Sequence, residues 1–383
     1  MPLITRIFDT DHHITPPPDL WTSRMPQKFQ DRAPRLVDLD DGTQAWSFEG
    51  GEVLHLFGLE NVGAKDPREL RWRVNYSELQ ADYYDPKARL LAMDIDGIDA
   101  ALLFPSVAGH ISVIRDDELY LACVQTYNDG VWDWVQEGDP NRIFPAAMMP
   151  SRNIDDAMAE LTRVAELGFR HFSFTMSPSG GNYPSPEDDP FWALVQETGM
   201  AISMHGGGSG RVQRPAPPVD EVVKPEPPVR DQEMIAAGRA SGLGAQMALG
   251  CVIMTGVLER FPDLKIGLVE TSAGWLPSFV EQLDALYLQH RWLGNNTLRR
   301  LPSEYARHVK ISVDRELQGI KYRDHIGVDN LMFGTDYPHI GSFWPHTRQH
   351  LELLLDDVPD EDVDKILWSN AASLYGVQEP VRV

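Results

Sequence analysis

With 383 residues, 42% of them hydrophobic and 24% charged, the chain is long enough for one large core and too apolar for wholesale disorder. A formal net charge of −23 argues against nucleic acid and anionic membranes as partners, since both reward Lys and Arg; it reads as a solvated acidic surface. The two cysteines, Cys123 and Cys251, exclude a disulfide framework and a CxxC metal site; no run approaches the ~20 apolar residues of a membrane span, and no signal peptide is apparent, so a cytoplasmic location is expected.

Short apolar runs alternate with helical patterns of ten or more residues, which predicts βα units and a parallel sheet. Ile4–His13 reads as the first strand. A long polar segment, 14–85, follows and is expected to decorate or cover the fold. The next expected elements are a helix over Lys87–Ile98, a strand over Ala100–Phe104 and a helix over Asp117–Gln136. Ile143–Met149 (strand), Ile154–Leu167 (helix), His171–Phe174 (strand), Pro190–Thr198 (helix) and Ala201–His205 (strand) continue the alternation. A second interruption, 206–240, opens with GGGSG and runs into the Pro-rich Pro215–Pro228; it is either a lid or a surface connection. Then come a helix over Ser241–Phe261, a strand over Ile266–Val269, a helix over Gly274–His290, and strands over Val309–Val313 and Leu331–Phe333. Helices over Thr347–Leu355 and Glu361–Tyr375 close the chain, the last stopped by Gly376. Eight strands with helices between most of them predict a single α/β domain over 1–383, a (β/α)8 TIM barrel with insertions after strands one and five and a C-terminal helix.

A barrel keeps its chemistry at the C-terminal ends of its strands. There the sequence offers Asp11 and His13 after strand one, His205 after strand five, Glu270 after strand six and Asp336 after strand eight. Strand alternation sets Asp9, Asp11 and His13 on one, inward, face and His12 on the other. Imidazole with carboxylate suits Zn, Mn or Fe. Each residue also has a plainer reading: a structural His, an Asp9 that anchors a loop, an Asx turn at Asp336. Their coincidence at strand ends makes a metal site the better reading. His339 and His110 are either acids, bases or substrate contacts, or ordinary loop histidines. His171, His346 and His350 read as structural or exposed. Trp275, Trp344 and Tyr337 are candidates for an aromatic substrate wall.

A further set of motifs runs almost end to end: Phe8-Asp9-Thr10-Asp11-His12-His13, Met93-Asp94-Ile95-Asp96-Gly97-Ile98-Asp99, Met204-His205-Gly206-Gly207, Gly256-Val257-Leu258-Glu259-Arg260-Phe261-Pro262, Glu270-Thr271-Ser272-Ala273-Gly274-Trp275-Leu276-Pro277, Gly334-Thr335-Asp336-Tyr337-Pro338-His339 and Asn370-Ala371-Ala372-Ser373-Leu374-Tyr375-Gly376. In this order they resemble the amidohydrolase superfamily, in the amidohydrolase-related branch that includes aminocarboxymuconate semialdehyde decarboxylase. The resemblance implies metal ligation by Asp11, His13, His205 and Asp336, zinc or manganese as the metal, and a small carboxylated or carbonyl substrate that is decarboxylated or hydrolysed. It gives Asp336 a proton to take or give beside the metal.

One departure matters. Decarboxylases of that branch usually place a His after strand six, where this chain has Glu270. Glu270 either bridges a second metal or orients a ligand or loop. Three functions therefore remain open: a mononuclear hydrolase or decarboxylase (a carbon–carbon lyase), a dinuclear iron or mixed-metal oxygenase, and a non-catalytic metal-binding subunit paired with a related chain. Chain length and family habit favour a homo-oligomer, with a hetero-oligomer as the alternative.

Overall fold

The structure is a computed structural model that describes residues 2–49, 51–53, 74–173, 177–206, 242–293 and 298–378. Among these residues the strands are β1 (Phe8–Ile14), β2 (Arg35–Asp38), β3 (Gln44–Phe48), β4 (Gly51–Val53), β5 (Ala100–Pro105), β6 (Ile143–Ala147), β7 (His171–Ser173), β8 (Ala201–His205), β9 (Lys265–Val269), β10 (Val309–Val313) and β11 (Leu331–Phe333). Eight of them close a barrel in the order β1-β11-β10-β9-β8-β7-β6-β5, every pair parallel. Parallel strands are covered on both faces, so they read as continuous apolar runs, as Ala-Ala-Leu-Leu-Phe does in β5. The intervening helices carry ordinary start signals. Asp85 accepts from the Lys87 and Ala88 amides with Pro86 at the first helical position, and Asn153 accepts from the Asp156 amide. No helix among the described residues is long and apolar enough to cross a membrane.

The C-terminal segment closes the floor of the barrel. Phe8, Leu102, Phe144 and Met332 from the strands pack in one cluster with Trp368, Leu374 and Tyr375. The Phe8 ring lies 5.7 Å from Trp368 and 5.8 Å from Phe144. The Tyr375 hydroxyl reaches Ser203 Oγ at 3.3 Å, and Ser203 Oγ is 2.9 Å from His171 Nδ1. His171 Nε2 donates to the Phe144 carbonyl at 3.0 Å, and burial pushes its pKa down to about 4, so it stays neutral. This His is structural, as its sequence context suggested. Trp368→Ala should therefore cost about 3–5 kcal/mol of stability, read from denaturant unfolding, because the large void opens under the strands that carry the site. A loss below about 1 kcal/mol would deny that the C-terminal segment supports the barrel.

Several boundaries differ from expectation. β1 begins at Phe8 rather than Ile4. The expected helix over 241–261 is two helices, Leu243–Met254 and Val257–Arg260, broken at Gly256. The final helix contains a π-helical turn, Lys365–Ser369, between Asp360–Asp364 and Asn370–Tyr375. The 14–85 stretch holds its own antiparallel sheet, β2-β3-β4, folded around a turn at Asp41-Gly42. Trp46 and Phe48 of β3 pack on Trp21, with ring centroids 5.4 and 6.2 Å away. The expected loop over 206–240 lies, beyond Gly206, outside the described residues.

Candidate metal centre

The ends of β1 and β8 bring three nitrogen and oxygen donors together. His205 Nε2 lies 3.1 Å from His13 Nε2 and 3.2 Å from Asp11 Oδ1, and His13 Nε2 lies 3.3 Å from the same Asp11 oxygen. Asp336, after β11, extends the cluster, its Oδ1 3.5 Å from His13 Nε2. Glu270, after β9, approaches His205 Nε2 with Oε2 at 3.5 Å. His339 Nδ1 lies 2.5 Å from Asp336 Oδ1, and its ring packs against His13, tilted by 31° with centroids 4.1 Å apart. All six residues named from the sequence thus converge at one end of the barrel.

Asp336 is carried over the cluster by a short extension of β1. The Tyr337 amide donates to the Asp11 carbonyl at 3.2 Å, and the His13 amide to the Tyr337 carbonyl at 2.6 Å. Asp336 and Glu270 both hold left-handed backbone, with φ of 62° and 54°. Non-glycine residues pay for that conformation, and such strain concentrates at functional sites.

The donor set has the spacing one ion would need. Ligands held at about 2.1 Å lie about 3.0 Å apart at right angles and about 3.4 Å apart at tetrahedral angles. The observed separations, 3.1 to 3.5 Å, lie close to that range. Two imidazole nitrogens 3.1 Å apart can share at most one proton, whereas two lone pairs facing a cation have no such conflict. Asp11 Oδ2 is buried and has no hydrogen-bond partner among the described residues. A buried carboxylate oxygen left in that state is costly, and a cation would satisfy it. Three overlapping donor groups meet the reach of an ion: Asp11, His13 and His205; His13, Asp336 and His339; Asp11, Glu270 and Asp336.

The electrostatics follow from crowding carboxylates. Burial disfavours a charged His205, but the carboxylates of Asp11, Glu270 and Asp336 outweigh it and lift the pKa to about 9. Burial and repulsion from Asp336 push Glu270 up to about 8, His205 opposing them. Asp314, directly after β10, lies beneath the cluster; burial, then the charges of Asp11 and Glu316, hold its carboxyl well above the usual range.

Some expectations need correction. Asp9 does not share the face of Asp11 and His13. Its carboxylate accepts from the Asp11 and Thr335 amides, at 3.0 and 2.9 Å, and meets His12 Nε2 at 3.0 Å. The pairing of β1 with β5 shifts register between Asp9 and His12, and that bulge breaks the two-residue alternation. Asp9 is a structural tie between β1 and the loop after β11. The aromatic wall does not form as expected: Tyr337 is buried, donates to Asp82 and packs on Trp344, whose Nε1 donates to the Ala92 carbonyl. Trp275 packs on Phe279 and donates to the Thr271 carbonyl. The ring beside the cluster is Phe104, at the end of β5 and 4.5 Å from His205. His110 packs against Phe48 and is not among the clustered donors.

Two residues went unnoticed in the sequence. Asp314 and Arg315 follow β10, one of the strands left without an end group; reading the residue after every strand would have found them. The site also depends on Gly206, which has φ of 40° and a missing Cβ that would overlap Glu270 Oε2. Gly206→Ala should destabilise the protein by about 1–3 kcal/mol and displace Glu270. Chemical unfolding checks the first effect; unchanged stability would mean that Glu270 has room to move.

A family model described as amidohydrolase matches residues 8–377. No curated protein sequence matches the chain. An amidohydrolase from Mycobacterium avium subsp. paratuberculosis K-10 superposes with a TM-score of 0.77 at 20% identity, covering 98% of this chain and 99% of that one. The 5-carboxyvanillate decarboxylase LigW from Sphingomonas paucimobilis gives 0.66 at 19% identity, over 97% and 99% of the two chains. A dihydroxybenzoic acid decarboxylase from Polaromonas sp. JS666, solved with bound manganese and the inhibitor 2-nitroresorcinol, gives 0.63 at 18% identity, over 98% of each. At these identities the solved structures establish the shared barrel fold, and the family model carries the assignment: the chain belongs to the amidohydrolase family of metal-dependent enzymes.

Proposed function

We propose that the chain is a divalent-metal-dependent decarboxylase acting on a small carboxylated, aromatic or unsaturated substrate, with hydrolysis of a related compound as the neighbouring chemistry. The observation that carries this reading is the meeting of Asp11, His13 and His205 donor atoms within 3.3 Å of one another at the mouth of the barrel. Structural neighbours that decarboxylate carboxylated aromatics support it. In this reading Asp11, His13, His205 and Asp336 hold the ion, zinc or manganese, with Glu270 beside them. When bound, the metal supplies Lewis acidity to a substrate oxygen and favours the negative charge that develops there.

The chain's own residues handle the proton. Loss of CO2 breaks a carbon–carbon bond and leaves its electron pair on the ring carbon, which must then take up one proton. His339 is placed to give it: Asp336 holds Nδ1, so Nε2 is the atom through which His339 would hold or deliver a proton. Phe104 supplies an apolar surface beside His205.

One observation favours a second reading. The donor groups overlap without being identical, and one of them contains Glu270 and Asp336 rather than the histidines. Two ions sharing Asp11 would use that set, as a dinuclear iron or mixed-metal oxygenase does. Elemental analysis per chain combined with turnover of a hydroxybenzoate panel, with and without O2, separates the two. One zinc or manganese per chain and CO2 release without O2 is the expected result. Two iron-containing positions and an absolute need for O2 and reductant would sink the decarboxylase.

A further inference from the structure

We propose that Arg315 is the anchor for an anionic group, a carboxylate, of the substrate; this rests on the reading of the site given above. Arg315 follows Asp314 directly after β10, at the end of the barrel where the donors converge. Its side chain is 45% exposed, whereas that of Asp336 beside it is 7% exposed, so the guanidinium stands between the buried donors and the solvent from which a substrate arrives.

The guanidinium is positioned without being consumed. Among the described residues its one ionic contact is to Asp336 Oδ2, at 3.5 Å. A guanidinium has five N–H donors in a flat fork, so most of that fork remains to meet a carboxylate edge-on with two parallel hydrogen bonds. Its place is kept open by a missing side chain: a Cβ on Gly341 would fall inside the guanidinium. Gly341 lies on the loop that starts at Asp336, where the His339 amide donates to the Asp336 carbonyl and the Ser342 amide to the His339 carbonyl. Arg315 is thus wedged between that loop and Asp336.

The charge balance gives this cation a task. Asp11, Glu270 and Asp336 face the site, Asp314 lies under it, and the whole chain is acidic. An anionic substrate is repelled by such a cluster until a fixed cation compensates at its edge. Arg suits this better than Lys, because its fork fixes the plane of the carboxylate as well as its position.

The test is calorimetric titration of the manganese-loaded full chain with 2,6-dihydroxybenzoate and with resorcinol, which lacks the carboxylate. Arg315→Gln should weaken the carboxylate roughly 10- to 100-fold and leave resorcinol within about twofold, with manganese per chain unchanged. Arg315→Lys should fall between, and Gly341→Ala should follow Arg315→Gln by pushing the guanidinium aside. Equal weakening of both probes together with loss of manganese would make Arg315 only the counter-ion of Asp336, and equal affinities in variant and wild type would also overturn the anchor. A wild type that retains manganese but binds no aromatic carboxylate overturns the anchor and leaves the metal centre standing. One that retains no divalent ion overturns the centre and the anchor with it.

Discussion

His205→Ala should yield a folded protein that retains little or no divalent metal and loses turnover by roughly a hundred- to ten-thousandfold. His205 Nε2 contacts three other donors, His13 Nε2, Asp11 Oδ1 and Glu270 Oε2, between 3.1 and 3.5 Å. Among the described residues His205 is the one β8 residue in these donor groups. Removing the imidazole takes one of the four proposed ligands and leaves His13 as the one nitrogen donor beside Asp11 and Asp336, which should lower the affinity for zinc or manganese steeply. The loss of rate follows from losing Lewis acidity worth several kcal/mol of charge stabilisation. Folding should survive, because the side chain is partly exposed and the barrel's inner cluster does not include it. Metal per chain by elemental analysis, read beside circular dichroism, checks both halves. A variant that keeps its full metal content would remove His205 from the centre, and Asp11→Asn, which keeps the shape and removes the charge, would then show whether the β1 pair suffices alone.

The barrel was legible because its evidence repeats. Eight short, largely buried strands alternate with helices, and their order along the chain is their order around the barrel. The donor residues were legible for a related reason: strand ends converge in a closed parallel barrel, so Asp11, His13, His205, Glu270 and Asp336 could be picked out by position alone. What stayed hidden depends on geometry that no pattern encodes. The bulge in β1 reverses the facing of Asp9, and a two-residue alternation read from composition cannot see an extra residue. Tyr337 and Trp344 sit beside the site in sequence, yet their hydrogen bonds to Asp82 and Ala92 draw them into packing against the helix Pro86–Asp96 and the turn before it. β2 and β3 are four and five residues long, too short for alternation to rise above the polar stretch around them, although Asp41-Gly42 marks their turn. Asp314 and Arg315 were overlooked for a simpler reason. They follow a strand whose end residues were not read, and the strand order β11-β10-β9 sets them between Asp336 and Glu270.

The metal-free protein should lose stability as pH rises from about 5 to 9, whereas the metal-loaded protein should bind its ion more tightly over the same range. In the metal-free state the pKa of His205 is lifted from 6.5 to about 9 and that of Glu270 from 4.5 to about 8. Both folded values lie above the unfolded ones, so the native state holds more protons than the unfolded chain between them. The stability contributed by His205 is complete below 6.5 and is lost as pH climbs through about 9; for Glu270 the window runs from 4.5 to about 8. Asp314, also held above its usual range, acts in the same direction. A bound cation reverses the sense, because ligation needs the imidazole lone pair and the ionised carboxylates, so each ion taken up must expel the protons that the empty cluster retains. Thermal unfolding of chelator-treated and manganese-loaded protein across this pH range should give diverging midpoints, with proton release on loading measurable in buffers of different ionisation enthalpy. Parallel midpoints without proton release would mean that the cluster does not titrate with the ion. The crowding of Asp11, Glu270 and Asp336 around two imidazoles would then need another source of compensation, for which the described residues offer only Arg315 at the rim and His339 on Asp336.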